Sequence, residues 1–141
     1  MIFKSKILAC GAARAFELLA TRAGEWWPPR LRHTADSTST ITMLATGRFF
    51  ERTSDGHEVE LGFVRDWVPP DRIVLDWYPG TDADHPTRVE IRFIPESSSS
   101  TRIEIRHEAL PASEAQFPTR APRYDAAWSL VLDAIDNAAK A

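Results

Sequence analysis

The sequence is poor in residues that carry metal, redox or phosphate chemistry. It has one cysteine, Cys10, in 141 residues, which excludes an internal disulfide and a thiolate metal cluster. Its four histidines, His33, His57, His85 and His107, are scattered, with none at helical ligand spacing, so no metal site is expected. Six glycines never form a Gly-rich run, so there is no phosphate-cradling loop. There is no G-x-S-x-G, and the serines cluster in loops, so no hydrolytic triad is visible. No apolar run approaches the roughly 20 residues needed to cross a bilayer. The opening MIFKSKILAC lacks the long apolar core and small-residue cleavage site of a signal peptide. A reducing cytoplasm is therefore the simplest location. No sign of charge dominates: 17 Lys and Arg stand against 20 Asp and Glu, for a net charge of -3 and a pI of about 5.8. Nucleic-acid binders usually carry a basic face, so nucleic acid is not an expected partner. No cofactor is implied.

What is present is aromatic surface and clear periodicity. Five Trp and seven Phe suit either a dense core or an aromatic-lined cavity. The length fits one domain spanning residues 1–141. The last segment, residues 121–140, reads as a helix. Pro122 suits a first helical position and Asp125 the first turn. Tyr124, Trp128, Val131 and Ile135 recur at steps of four, three and four and share one face. Ala127 and Leu132 flank that stripe, and Asp125, Ser129, Asp133 and Asp136 lie opposite it.

Earlier segments read as a strand over residues 2–9, a helix over 12–21, and a short helical turn with Trp26 and Trp27 that Pro28 and Pro29 stop. Those two tryptophans fit a core plug and a pocket rim equally well. Strands follow over 38–45, 48–53, 58–68 and 72–78. Asp55-Gly56 marks a tight turn. Val59, Leu61 and Phe63 alternate against Glu58 and Glu60, and failing alternation near Arg65 predicts a bulge with an exposed Arg65. Residues 79–86, with Asp82, Asp84 and His85, read as a solvated loop.

The final hairpin, residues 87–94 and 101–110, specifies its own register. Arg92 facing Glu104, Glu90 facing Arg106 and Arg88 facing Glu108 leaves Phe93 opposite Ile103, Ile91 opposite Ile105 and Val89 opposite His107. A one-residue slip would bury the charges. The resulting fold class is α+β: a curved antiparallel sheet of about seven strands around a long C-terminal helix, with two short helices after the first strand. His107 falls on the inward face. It reads as a core histidine bonded to a neighbour, or as a polar group that orients a ligand or moves a proton in a cavity, alone or with Tyr124.

Several stretches resemble a known family. ARAFELLATRAGEWWPP is similar to the opening of the START-like helix-grip superfamily (SRPBCC). GRFFERTSDGHEVELGFVRDWVPPDRIVLDWYPG, VEIRFIPE, TRIEIRHEAL and YDAAWSLVLDAI resemble the branch named after the C-terminal domain of the heat-shock protein 90 ATPase activator. The resemblance covers nearly the whole chain and implies a helix-grip fold with a hydrophobic cavity between sheet and C-terminal helix. Carried onto this sequence, it implies wall positions Phe49, Leu61, Phe63, Trp77, Ile91, His107, Tyr124 and Trp128, with Trp26 and Trp27 at the rim. The implied partner is a small hydrophobic molecule such as a lipid, sterol or polyketide. A minority of the superfamily are cyclases, so an enzyme using His107 is an alternative, and a chaperone-related interaction module is a third. The full co-chaperone carries a separate N-terminal domain, for which 141 residues leave no room. Relatives often place Gly before the aromatic of the closing helix, where this chain has Ala126-Ala127, a change that would shrink the pocket.

Overall fold

The computed structural model describes residues 1–141. Strand β1 (Ile2–Leu8) is followed by helix α1 (Ala12–Ala20), the one-turn helix α2 (Ala23–Trp26) and a 3-10 turn (Pro29–Leu31). Six strands come next: β2 (Thr40–Met43), β3 (Arg48–Arg52), β4 (Glu58–Val68), β5 (Arg72–Trp77), β6 (Thr87–Ser97) and β7 (Ser100–Ala109). A second 3-10 turn (Pro111–Ser113) leads to helix α3 (Phe117–Lys140). The strands form one antiparallel sheet in the order β1-β7-β6-β5-β4-β3-β2, so the first strand closes beside the last. The result is the expected curved sheet gripping a long helix.

The β6–β7 register is the one the alternation demands: Arg92 opposite Glu104, Ile91 opposite Ile105, Val89 opposite His107. The ion pairs differ from those expected. Arg92 bonds Glu90 on its own strand, and Arg102 approaches Glu96 and Glu104. Arg88 turns to β5, where it and Arg65 flank the buried carboxylate of Asp76. Register is thus set by the apolar face, and long charged side chains then find whichever partner is nearest. The hairpin is tighter than expected, since Ser97 already pairs with Ser100.

Helix α3 begins a turn earlier than the sequence suggests. Phe117 and Pro118 open it, and Pro122 lies inside it. The missing Pro122 N–H leaves the Pro118 carbonyl without a helical partner. Both prolines are exposed, so the break falls on the solvent side of the helix. Tyr124, Trp128, Val131 and Ile135 are all buried, as their spacing requires. The opposite side is tied to β1: Lys4 bonds Asp125 (2.9 Å) and Ser129 (2.7 Å), and Lys6 bonds Asp133 (2.7 Å). Asp125 therefore serves a strand-to-helix contact and not the helix dipole.

Two bulges shape β4. The one near Arg65 is where the alternation predicts it: Val64 pairs with Leu75 and Asp66 with Val74, leaving Arg65 extra and exposed. The other was not expected. Phe49 pairs with Gly62 but Phe50 with Glu60, so Leu61 is the extra residue. The pleat resets there, and Phe63 lands on the outer face, with the Arg65 guanidinium 4.8 Å from its ring. Phe63 is consequently not a cavity wall. Truncation separates the two phenylalanines. Phe49→Ala should cost about 3–5 kcal/mol in denaturant unfolding, and Phe63→Ala about 1 kcal/mol or less. Equal losses would contradict the reset.

Candidate functional site

The core is filled along most of α3 but not all of it. Between its N-terminal half and the sheet lies a chamber of about 220 Å³. Tyr124, Ala127, Trp128 and Val131 border it from α3, with Arg123. Phe49 and Glu51 of β3, Leu61 of β4 and Trp77 of β5 border it from the sheet. Pro79 and Gly80 follow β5, and Trp27, Leu31 and His33 cover the remaining side. Other depressions are of a different kind. The one on the outer face of the sheet is walled by Phe3 and four charged side chains.

Local sequence explains each wall. Phe49 and Glu51 share a face of β3 by alternation. Leu61 turns inward as the extra residue of its bulge. Trp77 ends β5 with one ring neighbour on every side: Phe49 at 5.5 Å, Trp27 at 6.5 Å and Trp128 at 5.0 Å between centroids. Gly80 has a positive φ of 84°, and a Cβ there would meet the Tyr124 hydroxyl at 2.6 Å. Glycine at this position lets the Tyr124 hydroxyl reach the Pro79 carbonyl at 2.8 Å.

The covering segment is fixed at both ends. Trp26 donates its indole N–H to the Leu18 carbonyl (2.8 Å), and Arg32 reaches the carbonyls of Gly24 (2.8 Å) and Ser39 (2.9 Å). The fully buried Glu51 carboxylate accepts the His33 N–H (2.8 Å), the Thr34 N–H (3.0 Å) and the Thr34 hydroxyl. Burial pushes this acid up, but the hydrogen bonds outweigh it and hold the pKa below the usual carboxylate range. Glu51 is a staple for the cover.

Of the ten residues expected at the site, Trp27, Phe49, Leu61, Trp77, Tyr124 and Trp128 border the chamber. Trp26 faces the other way, into a groove between α1, α2 and the end of α3, because adjacent residues on one helical turn point apart. Ile91 is sealed within the sheet's packed face. His107 has no exposure and lies behind the wall. Its Nδ1 accepts the Trp128 indole N–H at 3.0 Å, and its Nε2 lies 2.7 Å from the Thr87 hydroxyl. The Thr87 hydroxyl in turn reaches the Trp77 carbonyl at 3.3 Å. One proton arrangement satisfies every atom: Nε2–H donates to Thr87, and Thr87 donates to the carbonyl. Burial, helped by the Met1 ammonium, pushes the His107 pKa down to about 3. His107 is a neutral core histidine, and neither ring nitrogen is free to move a proton. Sequence reasoning passed over Leu31, His33, Glu51, Pro79, Gly80, Arg123 and Val131 as walls. For Glu51 the signal was available, since it stands two residues from Phe49 on the same strand.

The model of the family described as activator of Hsp90 ATPase homolog 1-like protein matches residues 17–140. No curated protein matches the chain. Solved structures do. The self-sacrificing resistance protein CalC from Micromonospora echinospora aligns over 98% of this chain and 92% of its own, with a TM-score of 0.73 and 19% identity. The anthrahydroquino-γ-pyrone synthase Txn09 shares 28% identity over 96% of this chain and 86% of its own, with a TM-score of 0.57. The Hsp90 activator PFC0360w from Plasmodium falciparum shares 15% identity over 91% and 86%, with a TM-score of 0.62.

The buried histidine has a measurable consequence. Between about pH 6.5, its ordinary value, and about 3, the unfolded chain binds a proton that the folded chain refuses. Its stabilisation is full above pH 6.5 and drains as pH falls, by up to about 1.4 kcal/mol per pH unit. His107→Gln removes that slope. The stability gap between wild type and variant should therefore narrow from pH 7 to pH 4 in denaturant titrations, and a constant gap would contradict the assignment.

Proposed function

The chain belongs to the family of activator of Hsp90 ATPase homolog 1-like proteins, and on that premise we propose that it binds a small, flat hydrophobic molecule in the chamber between sheet and α3. The observation that carries this reading is a void of about 220 Å³ walled by Trp27, Phe49, Trp77, Tyr124 and Trp128. An apolar, concave recess of this size that opens to solvent at one edge is a site for an apolar guest. Aromatic walls favour a flat guest that can lie against a ring. The volume falls below the roughly 300–1,000 Å³ usual for drug-sized ligands, which favours one or two fused rings. Ala127 keeps this space open, since a larger side chain at that position would fill it. The synthase that shares 28% identity is named for a polycyclic aromatic product, which agrees with an aromatic guest.

The fold also supports cyclase-type activity, but here that reading lacks a residue to perform it. His107 is sealed, Tyr124 is committed to Pro79, and Glu51 to the cover. Binding needs no such residue. The likeness to an Hsp90 activator, at 15% identity, speaks to fold alone.

Native mass spectrometry and tryptophan fluorescence test the proposal. A gently purified sample should carry, or take up, one small apolar molecule such as naphthalene. Ala127→Phe should weaken uptake about tenfold or more by filling the chamber, while the protein stays folded. A protein that is always empty and ignores a broad set of apolar aromatics and lipids would overturn the reading. So would an Ala127→Phe protein that binds as the wild type does.

A further inference from the structure

Most of the cationic side chains already have an anionic or carbonyl partner. Lys4, Lys6, Arg48, Arg65, Arg72 and Arg88 are tied to carboxylates, and Arg14 and Arg32 to backbone carbonyls. Of the arginines left without such a partner, Arg30, Arg106, Arg120 and Arg123, one stands at the chamber, Arg123. It is exposed and makes no ion pair or hydrogen bond within the protein. Arg120, one turn earlier on the same helix, likewise has no carboxylate partner and lies near enough to Tyr124 for its charge to be felt there. Arg123 is thus an unpaired guanidinium at the edge of a mostly apolar void, and it marks where a ligand's charge would sit.

We infer that the chamber's ligand is an aromatic carboxylate, its rings against the tryptophans and its carboxylate held at the rim by Arg123. This rests on the binding reading above and gives that ligand a polar end. A guanidinium presents a planar fork of N–H donors that matches a carboxylate in geometry as well as charge. The one carboxylate already at the chamber, Glu51, does not compete for this role. It forms no ion pair with Arg123, and its oxygens are taken by His33 and Thr34. Its fixed negative charge also disfavours an anion lying deep, so the ligand's carboxylate is directed to the Arg123 edge.

The test compares two probes of nearly equal shape, 1-naphthoate and 1-naphthamide, by fluorescence or calorimetric titration. Wild type should bind naphthoate about tenfold more tightly than naphthamide, the usual scale of a hydrogen bond to a charged group. That advantage should shrink with added salt. Arg123→Gln should bring naphthoate down to the naphthamide level and leave naphthamide within about twofold. Arg106→Gln, on the outer sheet face, should change neither. Equal binding of both probes by wild type, or an equal loss of both in Arg123→Gln, overturns the carboxylate inference and leaves the chamber reading standing. Binding of neither probe overturns the carboxylate inference, and overturns the chamber reading as well only if naphthalene is also ignored.

Discussion

An indole N–H carried into a dry core must find an acceptor there or cost the fold dearly. Trp128 meets that constraint through His107, and the solution determines much of what surrounds it. The imidazole can accept at Nδ1 only if it is neutral, and burial keeps it so. Its remaining N–H then needs the Thr87 hydroxyl, which passes the bond to the Trp77 carbonyl. Four side-chain and backbone groups from α3, β7, β6 and β5 are thereby linked in one line. That line fixes the rotation of α3 over the sheet and the ring of Trp128 relative to Trp77. The polar group inside the apolar face is a means of positioning the wall, not a tool of the chamber.

The chamber follows from where the stripe on α3 is matched and where it is not. Ile135 lies in the packed core with Ile103 and Ile105, and Val131, one turn earlier, is the last of the stripe to border the chamber. Nearer the start of the helix, the facing surface is the irregular cover around Trp27 and Leu31, stapled by Glu51 but not built of regular strands. Large flat rings on three sides and a small Ala127 on the fourth cannot close that space. The same aromatics thus serve as core where they touch one another and as wall where they do not, and their exposed-to-void faces give the site its chemistry. Arg123 adds positive charge only at the edge.

Much of this was legible in the residues. Alternation in β6 and β7 fixed the register down to the pairing of Val89 with His107, because charge and apolarity gave the same answer. The spacing of Tyr124, Trp128, Val131 and Ile135 identified the buried face of α3. The bulge at Arg65 showed as a failure of alternation. The bulge at Leu61 did not, because Gly62 has no side chain to break the pattern, and so Phe63 was assigned to the wrong face. Whether Trp26 or Trp27 met the chamber was also hidden, since neighbours on a single helical turn carry no periodicity. The role of Glu51 depends on the amides of residues 33 and 34, which only the folded cover brings to it.

The indole N–H resonances of the five tryptophans test the central claim most directly, followed by NMR as naphthalene is added. The largest shifts are expected for Trp27, Trp77 and Trp128, which border the chamber, a smaller one for Trp26, whose ring lies 5.6 Å from that of Trp27, and none for Trp67, which packs on Phe16. Unchanged spectra, or shifts led by Trp26 or Trp67, would contradict that claim.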